Sequence, residues 1–212
     1  MLLFHGAGAT AADMLPLGAV LAREFPAACI VSVVAPLAAA TGAGREWYPL
    51  AGLTEENLAE RVDAALPAFF ETVSHWQRQT GVGTDAIALV GFAEGGVMAL
   101  ESTRAGTPIA GRVVAIGARF ARLPEHPNDQ ATLHLFHGKQ DAVLPYGFTV
   151  QAAEHLVAIG ADVTADVIPF VGHQINDDVA ALMIERLRGH LPRRTWAAAM
   201  RAAAELGPEG HD

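Results

Sequence analysis

The sequence predicts an α/β architecture: one mainly parallel central sheet with helices on both faces. Three observations carry this. Short β-rich runs alternate with helical patterns along the whole chain, and that order is built by strand–helix–strand crossovers. The strand-like runs are mostly continuous in apolar residues rather than strictly alternating, as expected of strands covered on both faces. Hydrophobic residues make up 51% of 212 residues and charged residues 17%, enough to fill a sizeable core in one domain over 1–212.

The strand-like runs are 2–4, 28–34, 86–90, 113–116, 132–136 and 163–168. Met14, Leu17, Leu21 and Phe25 fall near one face of a helix over 13–25. The segment 54–79 opens on Thr54-Glu55-Glu56, an N-cap followed by acids at the positive helix end. Leu58, Val62, Ala65, Leu66, Phe69, Val73 and Trp76 then keep helical spacing. Pro67 is expected to kink it. Further helices are expected over 94–105, 146–159 and 177–190, with an alanine-rich one over 195–206 in a C-terminal tail (195–212) that frays from 207. The chain begins inside a strand, so an upstream edge strand is expected to be missing. The segment 117–130 is too short for a cap domain, which predicts an open, shallow site.

Composition excludes several functions. A formal charge of −9, with no basic cluster beyond Arg193-Arg194, argues against nucleic acid or anionic lipid as a partner. No apolar stretch approaches the ~20 residues of a membrane span, and the N-terminus lacks a basic leader. The lone Cys29 has no internal disulfide partner and reads as a small core residue. These features predict a cytoplasmic monomer or homodimer. No HExxH or CxxC is present, and His134 and His137 point opposite ways on an extended strand; no metal site is expected.

Four segments carry chemistry. In residues 88–98 a buried strand turns into a helix through Gly91-Phe92-Ala93-Glu94-Gly95-Gly96. This is the shape of a nucleophile elbow, G-x-S-x-G, with Ala93 at the exposed position. Alone, it fits a plain glycine-rich turn equally well. Residues 137–145 put Asp141 in a short loop after a late strand, where it also suits a turn. Val171-Gly172-His173 follows the last strand, and histidine suits proton shuttling. Together they follow the order elbow, acid, histidine, each at the carboxyl end of a parallel strand, where open α/β sheets bind ligands. Finally, Leu3-Phe4-His5-Gly6-Ala7-Gly8 ends a strand in a His-Gly turn whose N–H groups suit an oxyanion hole. The donors would be the N–H groups of Ala7 and Glu94. A dinucleotide fingerprint, G-x-G-x-x-A over 6–11, competes. It needs an acid after the second strand, which ends Val33-Val34-Ala35-Pro36 instead.

On these motifs, together with 44–48, 61–67, 69–77, 91–102 and 135–141, the chain resembles the phospholipase/carboxylesterase family of α/β-hydrolases, which includes the acyl-protein thioesterases. The resemblance implies an α/β-hydrolase fold and cofactor-free serine hydrolysis of small-molecule carboxylic esters or thioesters. It assigns Asp141 as the acid, His173 as the base, Ala7 and Glu94 as oxyanion donors, and places Trp47 near the site. Trp47, Phe92, Leu50, Leu144 and Ile175 are candidates for an apolar acyl wall, with core packing as the competing explanation for each. The nucleophile maps to Ala93, which has no nucleophilic atom. Ser32, Ser74 and Ser102 do not replace it; Ser102 lies nine residues along the helix, ~13 Å away at 1.5 Å per residue. Retention of Asp141, His173 and the elbow glycines fits a single change in an otherwise preserved apparatus. The expectation is a nearly inactive carboxylesterase; the alternative is a non-catalytic pseudohydrolase that binds or scaffolds.

Overall fold

The computed structural model describes residues 1–40 and 42–205. In chain order the strands are β1 (Leu2–Phe4), β2 (Val31–Val33), β3 (Leu37–Ala38), β4 (Arg45–Glu46), β5 (Ala88–Phe92), β6 (Arg112–Ile116), β7 (Thr132–Gly138) and β8 (Asp162–Ile168). The helices are α1 (Leu15–Glu24), α2 (Glu55–Thr80), α3 (Glu94–Glu101), α4 (Gly147–Ala158), α5 (Asp177–Gly189) and α6 (Arg193–Glu205). Six strands form one sheet in the order β2-β1-β5-β6-β7-β8, every neighbouring pair parallel. β3 and β4 form a separate antiparallel hairpin.

Alternate residues of the buried strands feed opposite layers, as the pleat requires. Leu2, Phe4, Leu89, Val113, Ala115, Leu133 and Leu135 pack with Leu58, Val62, Phe69 and Val73 of α2, α3, and Ala152 and Leu156 of α4. Leu3, Val90, Val114, Ile116 and Phe136 pack with Leu17 and Leu21 of α1 and with Val179, Met183 and Leu187 of α5. This two-sided burial is why most of the strands read as near-continuous apolar runs.

The chain steps outward from β1 to β2, then returns to the other side of β1 as β5. The order therefore reverses between β1 and β5. The register Phe4↔Gly91 sets the loop after β1 beside the loop after β5, at the crevice where such sheets bind ligands.

Several expectations need correction. Pairing on the second strand starts at Val31 opposite Leu2, so 28–30 lie outside the strand. Cys29 is exposed, not a core residue; its carbonyl accepts from the Met1 ammonium at 2.6 Å. A 3₁₀ turn, Ala11–Met14, precedes α1, and another, Ser102–Arg104, follows α3. α2 keeps Pro67 within one helix, and Thr54 stands at its N-cap as expected, in a capping box where the Thr54 N–H donates to Asn57 Oδ1 at 2.9 Å. The β3–β4 hairpin was not anticipated. The expected end of the last helix at Leu206 and the fraying from 207 lie outside the described residues. Among the described residues, 117–130 carries no helix or strand, and no helix is long and apolar enough to cross a membrane.

Candidate active site

The turn from β5 to α3 is made at Ala93, with φ 48° and ψ −116°. A side chain held there costs of order 1–3 kcal/mol. The surroundings enforce it. Ala93 N–H donates to Ile116 O and its carbonyl accepts from Val97 N–H, both at 2.9 Å. The flanking glycines are required by close approach. A Cβ on Gly91 would lie 2.4 Å from Gly95 O, and one on Gly95 would lie 2.4 Å from Phe4 O and 2.7 Å from His5 O. A Cβ on Gly96 would lie 2.6 Å from Ala118 Cβ. The result is a sharp elbow presenting the half-buried methyl of Ala93 at the top of the sheet.

Asp141 and His173 meet. His173 Nδ1 lies 2.7 Å from Asp141 Oδ2, which assigns the proton to Nδ1 and leaves Nε2 for the site. Asp141 Oδ1 accepts from Val143 N–H at 2.9 Å and Leu144 N–H at 2.8 Å. Burial pushes its carboxyl pKa up, but the Leu144 N–H, the His173 bond and the Val143 N–H outweigh that and hold it below the usual value. The two loops are also tied through backbone: Lys139 N–H to Ile168 O and Gln140 N–H to Val171 O, each at 2.8 Å. Phe92 lies against the imidazole, with ring centroids 4.8 Å apart. Gly117, at φ 54°, leaves room for the ring; a Cβ there would lie 3.3 Å from His173 Nδ1.

A second histidine supports the acid, and the sequence reading missed it. His137 is buried at the end of β7. Its Nε2 lies 2.8 Å from Leu144 O and 3.2 Å from Asp141 Oδ2, and its Nδ1 lies 2.7 Å from Thr149 Oγ1. The His-Gly pair just before the acid was the available signal.

The turn after β1 completes the constellation. A Cβ on Gly6 would lie 3.3 Å from Ala93 Cβ, so this turn abuts the elbow. Neither Ala7 N–H nor Glu94 N–H donates to a protein acceptor among the described residues. His5 is buried and braces the turn, with Nδ1 2.8 Å from Gly6 O and Nε2 accepting from Ala35 N–H at 3.3 Å. The hairpin clamps it from outside: Gly8 N–H donates to Arg45 O, and Arg45 N–H to Ala9 O. Trp47, expected in the acyl wall, is only 3% exposed. Its ring packs against Phe4, His5 and Phe69, so it offers almost no surface to a ligand. Leu144 is half-buried and holds Asp141 and His137 through its backbone. Leu50 and Ile175 pack on opposite core layers. Of the acyl-wall candidates, Phe92 is the one whose ring meets His173.

The model of the phospholipase/carboxylesterase family matches residues 1–191. The chain belongs to this family. It is 40% identical over 200 residues to the esterase YpfH of Escherichia coli strain K12, covering 94% of this chain and 86% of that protein. Acyl-protein thioesterase 1 of Gibberella zeae is 27% identical over 131 residues, 56% of each chain. Among solved structures, esterase PE8 superposes with a TM-score of 0.78 at 26% identity, covering 90% of this chain and 91% of that one. A carboxylesterase from Mesorhizobium loti gives a TM-score of 0.76 at 20% identity, over 89% and 88% of the two chains. The fold is thus that of the α/β-hydrolases, and the family's chemistry is carboxylesterase-type hydrolysis.

Proposed function

We propose that this chain carries the apparatus of a serine-type esterase for short or medium acyl esters or thioesters, silenced at one atom. The observation that carries the proposal is Ala93 in the strained elbow conformation, with the Asp141–His173 pair intact at 2.7 Å. A turn that merely linked strand to helix would have no reason to hold a methyl at φ 48° between three sterically required glycines.

With serine at 93, His173 Nε2 takes the hydroxyl proton as oxygen attacks the acyl carbon. Asp141 holds the imidazole in the Nδ1–H tautomer. The N–H groups of Ala7 and Glu94 receive the oxyanion. His173 then protonates the departing alkoxide or thiolate, and water repeats the sequence on the acyl-enzyme. With alanine there is no proton to take and no acyl-enzyme to form. Neither Ser102 nor Ser32 substitutes: Ser102 donates to Ala99 O at 2.7 Å, and Ser32 to Ala11 O. What remains is binding and oxyanion stabilisation, worth ~10³–10⁴-fold over the uncatalysed reaction.

The working environment we infer is the cytoplasm, where the exposed thiol of Cys29 stays reduced. The test is hydrolysis of p-nitrophenyl acetate by the chain and by Ala93→Ser. Turnover by the serine form, lost again on His173→Ala, supports the proposal. Inactivity of a folded serine form overturns it and favours a binding or scaffolding role.

A further inference from the structure

Glu94 supplies a backbone N–H to the proposed oxyanion hole, yet its side chain turns the other way and is buried, 5% exposed. Its Oε1 accepts the Tyr48 N–H at 3.0 Å, and the Trp47 N–H is directed at the same carboxyl. Its Oε2 is buried with no partner among the described residues. A solvent-inaccessible carboxyl is an expensive group to keep unless it holds something in place. What it holds is the segment after β4. That segment reaches the other half of the hole, because Trp47 Nε1–H donates to His5 O at 2.9 Å. His5 is the residue whose ring braces the Gly6–Ala7 turn.

We propose that the Glu94 side chain is a positioning residue. It staples the Trp47–Tyr48 segment to the elbow helix, and through the Trp47–His5 bond this fixes the Ala7 N–H relative to Glu94's own N–H. The inference rests on the esterase reading above. The two donors sit on separate loops, joined at their base by the Phe4↔Gly91 pairing and by the close approaches of Gly95 to Phe4 and His5 and of Gly6 to Ala93. The staple adds a hydrogen-bonded link beyond the strand ends, on the side of the hairpin. A hole of two donors works only if both point at the same developing oxyanion, and small displacements cost heavily.

The charged and titratable groups facing the carboxyl are Glu46, whose charge opposes ionisation, and the Tyr48 hydroxyl; Arg119 and Glu101 act in turn on Tyr48. Burial, with the Glu46 charge, pushes the Glu94 pKa up to about 7 against the two backbone N–H groups. A neutral acceptor of the same shape is therefore the relevant substitute.

The test compares Glu94→Gln, which keeps the acceptor, with Glu94→Met, which keeps the length and removes it. In the chain as it stands, amide hydrogen exchange is read for residues 46–48 and 5–9. Glu94→Met should speed exchange in both segments, whereas Glu94→Gln should stay near the parent. Should Glu94→Met not fold, Trp47→Phe cuts the same path further along; it should loosen 5–9 while Tyr48 N–H stays protected. Parent-like exchange at 5–9 in a folded Glu94→Met or Trp47→Phe overturns the proposal whether or not the serine form is active. Combined with Ala93→Ser, Glu94→Met should lose ~10–100-fold in kcat toward p-nitrophenyl butyrate with KM little changed, and Glu94→Gln should recover at least tenfold of it. A loss confined to KM, or equal losses in both variants, also overturns it.

Discussion

Replacing Glu94 by glutamine should change the stability of this protein in a pH-dependent way. The carboxyl is buried and its pKa is raised from 4.5 to about 7. A raised carboxyl binds its proton more tightly folded than unfolded. Its stabilising protonated form is fully present below 4.5, and stability is lost as pH rises through about 7. Those two pKa values place roughly 2 to 3 kcal/mol of loss between pH 5 and pH 8.5. Glutamine cannot ionise, so it escapes that loss. Urea unfolding of both proteins at the two pH values measures it. Groups remote from the carboxyl titrate equally in both and cancel in the difference, and reading the same pair in a Glu46→Gln background removes the one carboxylate that faces it. The stability of Glu94→Gln relative to the parent should therefore grow by roughly 2 to 3 kcal/mol from pH 5 to pH 8.5. A difference that stays constant with pH would refute the reasoning, because it would mean the carboxyl ionises as freely folded as unfolded.

Ala93→Gly should stabilise the fold by about 1 kcal/mol, read from the urea midpoint, because glycine adopts φ 48° without strain; a destabilised variant would show that the elbow stores none. Phe170 sits at φ 61° and is 86% exposed; Phe170→Gly should likewise gain about 1 kcal/mol, and a loss would mean its ring packs on something of value. Gly95→Ala should cost at least ~2 kcal/mol in thermal unfolding, since its Cβ would press to 2.4 Å from Phe4 O; a parent-like melting temperature would show that the two loops part easily. In an Ala93→Ser background, Asp141→Asn should lower kcat by ~10⁴ with KM little changed, and a loss under tenfold would remove Asp141 from the role of orienting His173.

Much of the fold was legible because two-sided burial writes itself plainly. β5 and β6 read as near-continuous apolar runs, and their alternate residues do feed two separate layers. The second strand was overextended for the same reason. Ala28, Cys29 and Ile30 are apolar, but pairing begins only where Val31 meets Leu2, which composition does not encode. The β3–β4 hairpin left no pattern, since two-residue strands have no periodicity to detect. Within the site, the order of Ala93, Asp141 and His173 was legible as chemistry at strand ends. Partners were not. Trp47 was expected beside the site, yet its indole lies in the core and reaches the site only through His5 O. Glu94 was expected to contribute only its N–H; that its side chain would grip a backbone amide 46 residues earlier depends on how the hairpin folds back. His137 drew attention only as a metal ligand; it stands four residues before Asp141, but their contact depends on the loop folding back over the strand end.

The measurement that tests the central claim most directly is hydrolysis of p-nitrophenyl butyrate by this chain and by Ala93→Ser, side by side under one set of conditions. The account predicts near-background turnover by the chain and a gain of at least ~10²-fold on adding the serine, with an initial burst from acyl-enzyme formation. Equal rates in the two proteins, whether both fast or both at background with the serine form folded, would contradict it.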